Sequence, residues 1–200
     1  MPLTLEFGYT TATGPRERNE DYGGFVEPAD PQLAATKGML AVVADGVSGG
    51  THGREAAESS VRNLLTDYYA TPDTWEIPHA LGTVLTAINR WIHGQTASRT
   101  DPGGMATTLT ALVLRGRRYH YAHVGDSRLY RMRGETLSSA SGRKSASAYS
   151  VKPIPHSAPN AVKSSSRSHI TRVMASRRIW SSRVSLRPRS TANPVAATRS

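Results

Sequence analysis

Four carboxylates in this chain stand at the ends of elements, where a fold places its working groups. Glu20 and Asp21 close the string R-x-x-N-E-D that begins at Arg16, Asp45 ends the apolar run from Met39 ahead of a glycine-rich turn, and Asp126 sits in the turn of HVGDSR. Carboxylates gathered without cysteine and without an organised histidine set suit hard cations such as Mg²⁺ or Mn²⁺, which take oxygen ligands and keep several waters. Two such ions close together can activate a bridging water and neutralise a phosphoryl group under in-line attack. Arg16 offers a fork of donors matched to phosphate oxygens. Singly, each of these residues reads more readily as a solvated loop charge, and Asp45 equally well as a strand-ending residue that caps the next turn.

Those acids need rigid elements beneath them. Leu40 to Val43, bounded by Gly and Ser, reads as a short buried strand that holds Asp45 from below, and the glycines after it let backbone and ligand approach closely. Thr4 to Thr13 reads as an opening strand ended by Gly14 and Pro15, Tyr22 to Val26 as a second, and Pro28 to Lys37 as a loop. Ala57, Val61, Leu64, Leu65 and Tyr68 make one helical face over Arg54 to Tyr69. A second stripe follows the break at Thr71 to Pro78: Leu81, Val84, Leu85, Ile88, Trp91 and Ile92. After a loop from Gly94 to Gly104, MATTLTALVLRG, RRYHYAHVGD and SRLYRMRGETL read as three consecutive strands of an antiparallel meander. Strands, two helices, then strands describe an α+β arrangement in which the helical pair covers one face of a sheet.

The net charge of +10 is unevenly spread. Residues 1–135 hold all 15 acidic side chains and 13 of the 25 basic ones, a balance of −2, whereas residues 136–200 carry 12 basic residues and no acid. The domain is therefore expected over residues 1–137, and residues 138–200, crowded with Ser, Arg, Ala and Pro, as a disordered basic tail. That tail is either a segment for nucleic acid or anionic lipid, or an out-of-frame extension; the abrupt loss of every acid favours the extension. The absence of cysteine excludes disulfides, thiolate metal sites and a cysteine nucleophile. MPLTLEFGYT lacks the basic and apolar regions of a signal peptide, and no apolar run has the length of a membrane span, so a cytoplasmic location is expected.

Taken in order, R-x-x-N-E-D at Arg16 to Asp21, VADG at Val43 to Gly46, GMATTLTALVL at Gly104 to Leu114 and AHVGDSRLYRMRG at Ala122 to Gly134 resemble the protein phosphatase 2C family of metal-dependent Ser/Thr phosphatases. The resemblance spans roughly residues 5–137. It implies an α-β-β-α sandwich, incomplete at the C-terminal side, and hydrolysis of phosphoserine and phosphothreonine proteins with two or three Mn²⁺ or Mg²⁺ ions. By the same resemblance Arg16 is the substrate-phosphate arginine, Glu20 and Asp21 hold metal-bound waters, and Asp45 bridges both ions. Gly46 gives one ion its backbone carbonyl, and Asp126 belongs with a third, weaker ion. The loop DGVSGGTH is longer before His52 than the bacterial DGMGGH pattern, which leaves His52 a solvated loop histidine. Two later acidic motifs of the family have no counterpart, since no acid follows Glu135; a truncated and impaired catalyst is expected. A cognate Ser/Thr kinase is a partner the family suggests.

Three other readings are weighed. Gly46 to Gly50, GVSGG, matches the G-x-S-x-G of a nucleophile elbow with Ser48 as nucleophile, but Thr51 to Gly53 intervene before the helix. An inactive phosphatase-like fragment whose tail binds nucleic acid would do so without specificity, because Tyr149 and Trp180 lie far apart and form no stacking platform. His120 and His123, three apart on a strand, face opposite sides and make no metal pair.

Overall fold

The computed structural model describes residues 5–47, 52–98 and 104–141, and beyond them the backbone of three strands at 145–153, 160–165 and 172–175. Its elements are β1 (Phe7–Thr10), β2 (Asp21–Val26), α1 (Pro31–Thr36), β3 (Met39–Asp45), α2 (Gly53–Ala70), α3 (Ile77–Ser98), β4 (Leu109–Arg115), β5 (Arg118–Gly125), β6 (Arg128–Arg133), β7 (Thr136–Ser139), β8 (Ser145–Pro153), β9 (Asn160–Ser165) and β10 (Arg172–Ala175). They form two five-stranded antiparallel sheets, ordered β2-β3-β4-β5-β8 and β1-β10-β9-β6-β7.

Strand β3 explains why its sequence is apolar without alternation: it lies between β2 and β4, and every residue is buried. Leu40, Val42 and Ala44 face the helices and pack with Ala57, Val61, Leu64 and Tyr68 of α2 and Leu81, Val84 and Ile88 of α3. Met39, Ala41 and Val43 face the other way and join Leu112, Leu114, Tyr119, Tyr121 and Leu129 in a second core between the sheets. A strand buried on both faces needs apolar residues on both, here Met39 to Ala44, and burying each of its Met, Leu and Val side chains contributes about 1.5–3 kcal/mol.

Several expectations are corrected. The segment Pro28 to Lys37 is not all loop, because Asp30 accepts the Gln32 N–H at 3.0 Å and Pro31 opens the short helix α1. Helix α3 runs on to Ser98 into the expected loop. The three-strand meander divides between sheets: β4 pairs with β5, but β5 continues to β8 while β6 pairs with β7 and β9. Gly125, at φ +96°, turns the chain out of the first sheet, so the Gly125–Ser127 corner is a crossing and not a hairpin. SRLYRMRGETL is likewise two strands, folded back at Gly134 with φ +54°. The order expected to stop at 137 continues, since β8 extends the first sheet beside β5, and β9 and β10 bridge β6 to β1. Backbone pairing along open strand edges supplies there what apolar patterning does not.

Candidate metal centre

The expected site lies at one end of the β2–β3 pair. Asp21 and Asp45 are direct partners in the β2–β3 ladder, 1% and 8% exposed. Asp45 continues the alternation of Met39, Ala41 and Val43 and so faces the gap between the sheets, and an antiparallel partner shares its face. The backbone around the pair is tied down from three directions. Asn19 Oδ1 accepts the Asp21 N–H at 2.9 Å, and the Gly46 N–H donates to the Glu20 carbonyl at 3.2 Å. The Asp45 carbonyl accepts from the Thr108 N–H at 2.9 Å and the Thr107 hydroxyl at 3.0 Å. Arg54, in the first turn of α2, donates to the Asp21 carbonyl at 2.9 Å and the Asn19 carbonyl at 3.3 Å, holding the helix against the acidic segment.

Gly46 has no room for a side chain: a Cβ there would stand 2.3 Å from the Gly53 carbonyl carbon and oxygen. A Cβ on Gly53 would in turn meet the Glu20 carboxylate and the Gly46 carbonyl carbon, each at 3.2 Å. The Glu20 carboxylate and the Gly46 peptide are thus neighbours across a strip of bare backbone. The donors assembled beside Asp21 and Asp45 are all oxygens, the set a hard divalent cation prefers, and the glycine pair keeps the approach open. Among the described residues no three His, Cys, Asp or Glu side chains converge into a finished cage, so an ion here would retain waters or draw on further donors.

The other expected residues are placed less centrally. Asp126 is exposed on the β5–β6 corner, linked to Asp45 by its neighbour Ser127, whose hydroxyl lies 2.7 Å from Thr108 Oγ1. Arg16 is exposed on the β1–β2 connection that leads into Glu20 and Asp21. Ser48 lies outside the described residues. His52 is not a plain solvated histidine: it caps α2 by position, and its Nδ1 lies 3.1 Å from Glu55 Oε2. His120 and His123 are buried in β5, the latter with Nδ1 3.0 Å from Thr110 Oγ1, and burial lowers the pKa of both. Sequence reading assigns no role to Asn19, Arg54, Thr107, Thr108 or Ser127, although Asn19 lies in the R-x-x-N-E-D string, Thr107 and Thr108 in GMATTLTALVL, and Ser127 beside Asp126 in GDSR; only Arg54 lies outside every motif.

Two stacked antiparallel sheets, helices on an outer face and carboxylates at the paired ends of β2 and β3 make an α+β sandwich. The chain belongs to the Protein phosphatase 2C family, whose family model matches residues 19–171, well past residue 137. It is 36% identical over 126 residues to the serine/threonine phosphatase stp of Listeria welshimeri and 35% identical to that of Listeria monocytogenes; the match covers 61% of this chain and 47% of each relative. The chain thus spans about half the length of these curated relatives. The same fold recurs in the serine/threonine phosphatase Stp1 of Staphylococcus aureus, at TM-score 0.70 and 17% identity over 88% of this chain and 97% of that one. The Mycobacterium tuberculosis serine/threonine phosphatase PstP/Ppp aligns at TM-score 0.67 and 18% identity over 86% of this chain and 98% of its own. No helix among the described residues is long and apolar enough to cross a membrane.

Proposed function

We propose that these residues form part of a Mn²⁺- or Mg²⁺-dependent phosphatase acting on phosphoserine and phosphothreonine proteins. The observation that carries the reading is the in-register pairing of Asp21 with Asp45 at the buried end of β2 and β3, with Glu20 and the Gly46 peptide beside them. Asp45 and the Gly46 carbonyl would hold the ion, Glu20 and Asp21 its waters, and Asp126 a further ion. Bound there, the metal supplies a water acidic enough to attack at neutral pH and positive charge for the phosphoryl oxygens.

The chain's own part is to fix those oxygens before substrate arrives. The Asn19, Thr107, Thr108 and Arg54 hydrogen bonds hold the acid-bearing backbone, so little reorganisation is left for binding. Arg16, exposed on the connection leading to Glu20, would bind phosphate oxygens in a fork. Relatives named serine/threonine phosphatase support the substrate class. A polypeptide of these 200 residues offers no acid after Glu135, and we expect it to turn over slowly. Phosphate release from a phosphothreonine peptide with Mn²⁺ tests this: weak turnover abolished by Asp45→Ala supports the reading, and turnover indifferent to Asp45→Ala contradicts it.

A further inference from the structure

We infer that Thr108 is a positioning residue that locks the Asp45 end of β3 to the Asp126 corner, so that the carboxylate ending β3 and the one preceding β6 meet their cations in a fixed relation. The inference rests on the proposed role of Asp45 and Asp126 as cation-holding residues. Thr108 and Asp45 bond reciprocally: the Thr108 N–H donates to the Asp45 carbonyl at 2.9 Å, and the Asp45 N–H donates to Thr108 Oγ1 at 3.2 Å. The same Oγ1 lies 2.7 Å from Ser127 Oγ, and both side chains are buried, at 9% and 1% exposure. A hydroxyl has one proton and two lone pairs, so taking the Asp45 N–H still leaves it able to donate to or accept from Ser127.

The methyl group is used as well. Gly125 packs so closely that a Cβ on it would stand 2.7 Å from Thr108 Cγ2 and 2.9 Å from Thr108 Cβ. With φ at +96°, Gly125 delivers Asp126 and Ser127 out of the first sheet, pressed against that methyl. Thr108 therefore touches the strand that carries one acid and the corner that carries the other. Its link runs through two hydroxyl hydrogen bonds, and outer partners of metal-holding groups commonly change metal affinity 10- to 100-fold when lost.

Calorimetric titration of the full chain with Mn²⁺ tests this, alongside circular dichroism and amide hydrogen exchange on each metal-free variant. Thr108→Val keeps shape and removes the hydroxyl; we expect native dichroism, faster exchange of the Asp45 amide and Mn²⁺ affinity lower by about tenfold or more. Thr108→Ser keeps the hydroxyl and should restore most of that affinity. A folded Thr108→Val chain that binds Mn²⁺ as the parent does overturns the inference. If Thr108→Val fails to accumulate folded, Ser127→Ala decides, since it leaves the Asp45 bonds in place: weakened Mn²⁺ binding supports the link and unchanged binding overturns it. Asp45→Asn separates the two layers. Parent-like Mn²⁺ binding in Asp45→Asn sinks the metal-site reading itself, whereas lost binding there with parent-like Thr108→Val sinks only the coupling.

Discussion

Asp21 and Asp45 stand opposite one another on neighbouring antiparallel strands, both buried and on the same face of the sheet. The pair gives this end of β2 and β3 two oxygen-bearing groups on one face, the ligand type a hard divalent cation takes. Around that pair the glycines are as constrained as the acids.

Gly46 is the sharpest case. Alanine there would push a Cβ to 2.3 Å from Gly53 backbone atoms that belong to the start of α2, and backbone cannot yield as a flexible side chain can. Gly46→Ala is expected to cost about 1–3 kcal/mol or more in urea unfolding, the usual penalty of overpacking. Gly94→Ala, at an exposed position of α3 with open space around it, should instead stabilise by up to about 1 kcal/mol. Equal effects of the two substitutions would contradict the account of the glycine pair.

Lys37 is 1% exposed, yet its ammonium is provided for: Nζ donates to Thr71 Oγ1 at 2.7 Å and to the Pro72 carbonyl at 2.8 Å, just past the C-terminus of α2. A cation there also meets the negative end of the helix dipole. Lys37→Met should leave two acceptors without a donor and lower stability by about 1–3 kcal/mol, read as a shift in urea midpoint with unchanged slope. An unchanged midpoint would mean that the lysine is replaceable by its own hydrocarbon.

Burial lowers the pKa of His120, assisted by Arg115 and Arg118 and opposed by Glu76, and lowers that of His123, opposed by a Gly125 backbone hydrogen bond and Asp126. Below the ordinary histidine value of 6.5 the unfolded chain takes up protons that the folded chain refuses. Stability should therefore be whole above that pH and fall as the pH drops through it, by at most about 1.4 kcal/mol per pH unit for each histidine. Urea unfolding at a series of pH values from neutral downward measures the slope. A double His120→Gln, His123→Gln variant should flatten it; an equally steep fall in the variant would assign acid lability to other groups.

How much of this could be read from the residues differs by element. Strand β3 was legible because a short, unbroken apolar run set between glycines and ending in an acid fits little besides a buried central strand, and its neighbours place helices on one side and a second sheet on the other. Helices α2 and α3 were legible from their stripes. Helix α1 was missed because its one signal, Asp30 before Pro31, also reads as a turn. The crossing at Gly125 was hidden because a glycine-containing corner between two strands looks like a hairpin until pairing partners are known. Strands β8 to β10 follow no apolar pattern, and pairing with distant strands decides them. Thr108 was invisible for a related reason: its partners Asp45 and Ser127 lie 63 and 19 residues away.

The central claim is that Asp45, beside Asp21, Glu20 and the Gly46 peptide, holds a divalent cation. Electron paramagnetic resonance of Mn²⁺ tests it most directly, because the sharp six-line spectrum of the free ion is lost on binding. The parent chain is expected to quench that signal in proportion to protein added, and a folded Asp45→Asn chain to leave it nearly intact. Equal quenching by both would place the ion elsewhere and contradict the account.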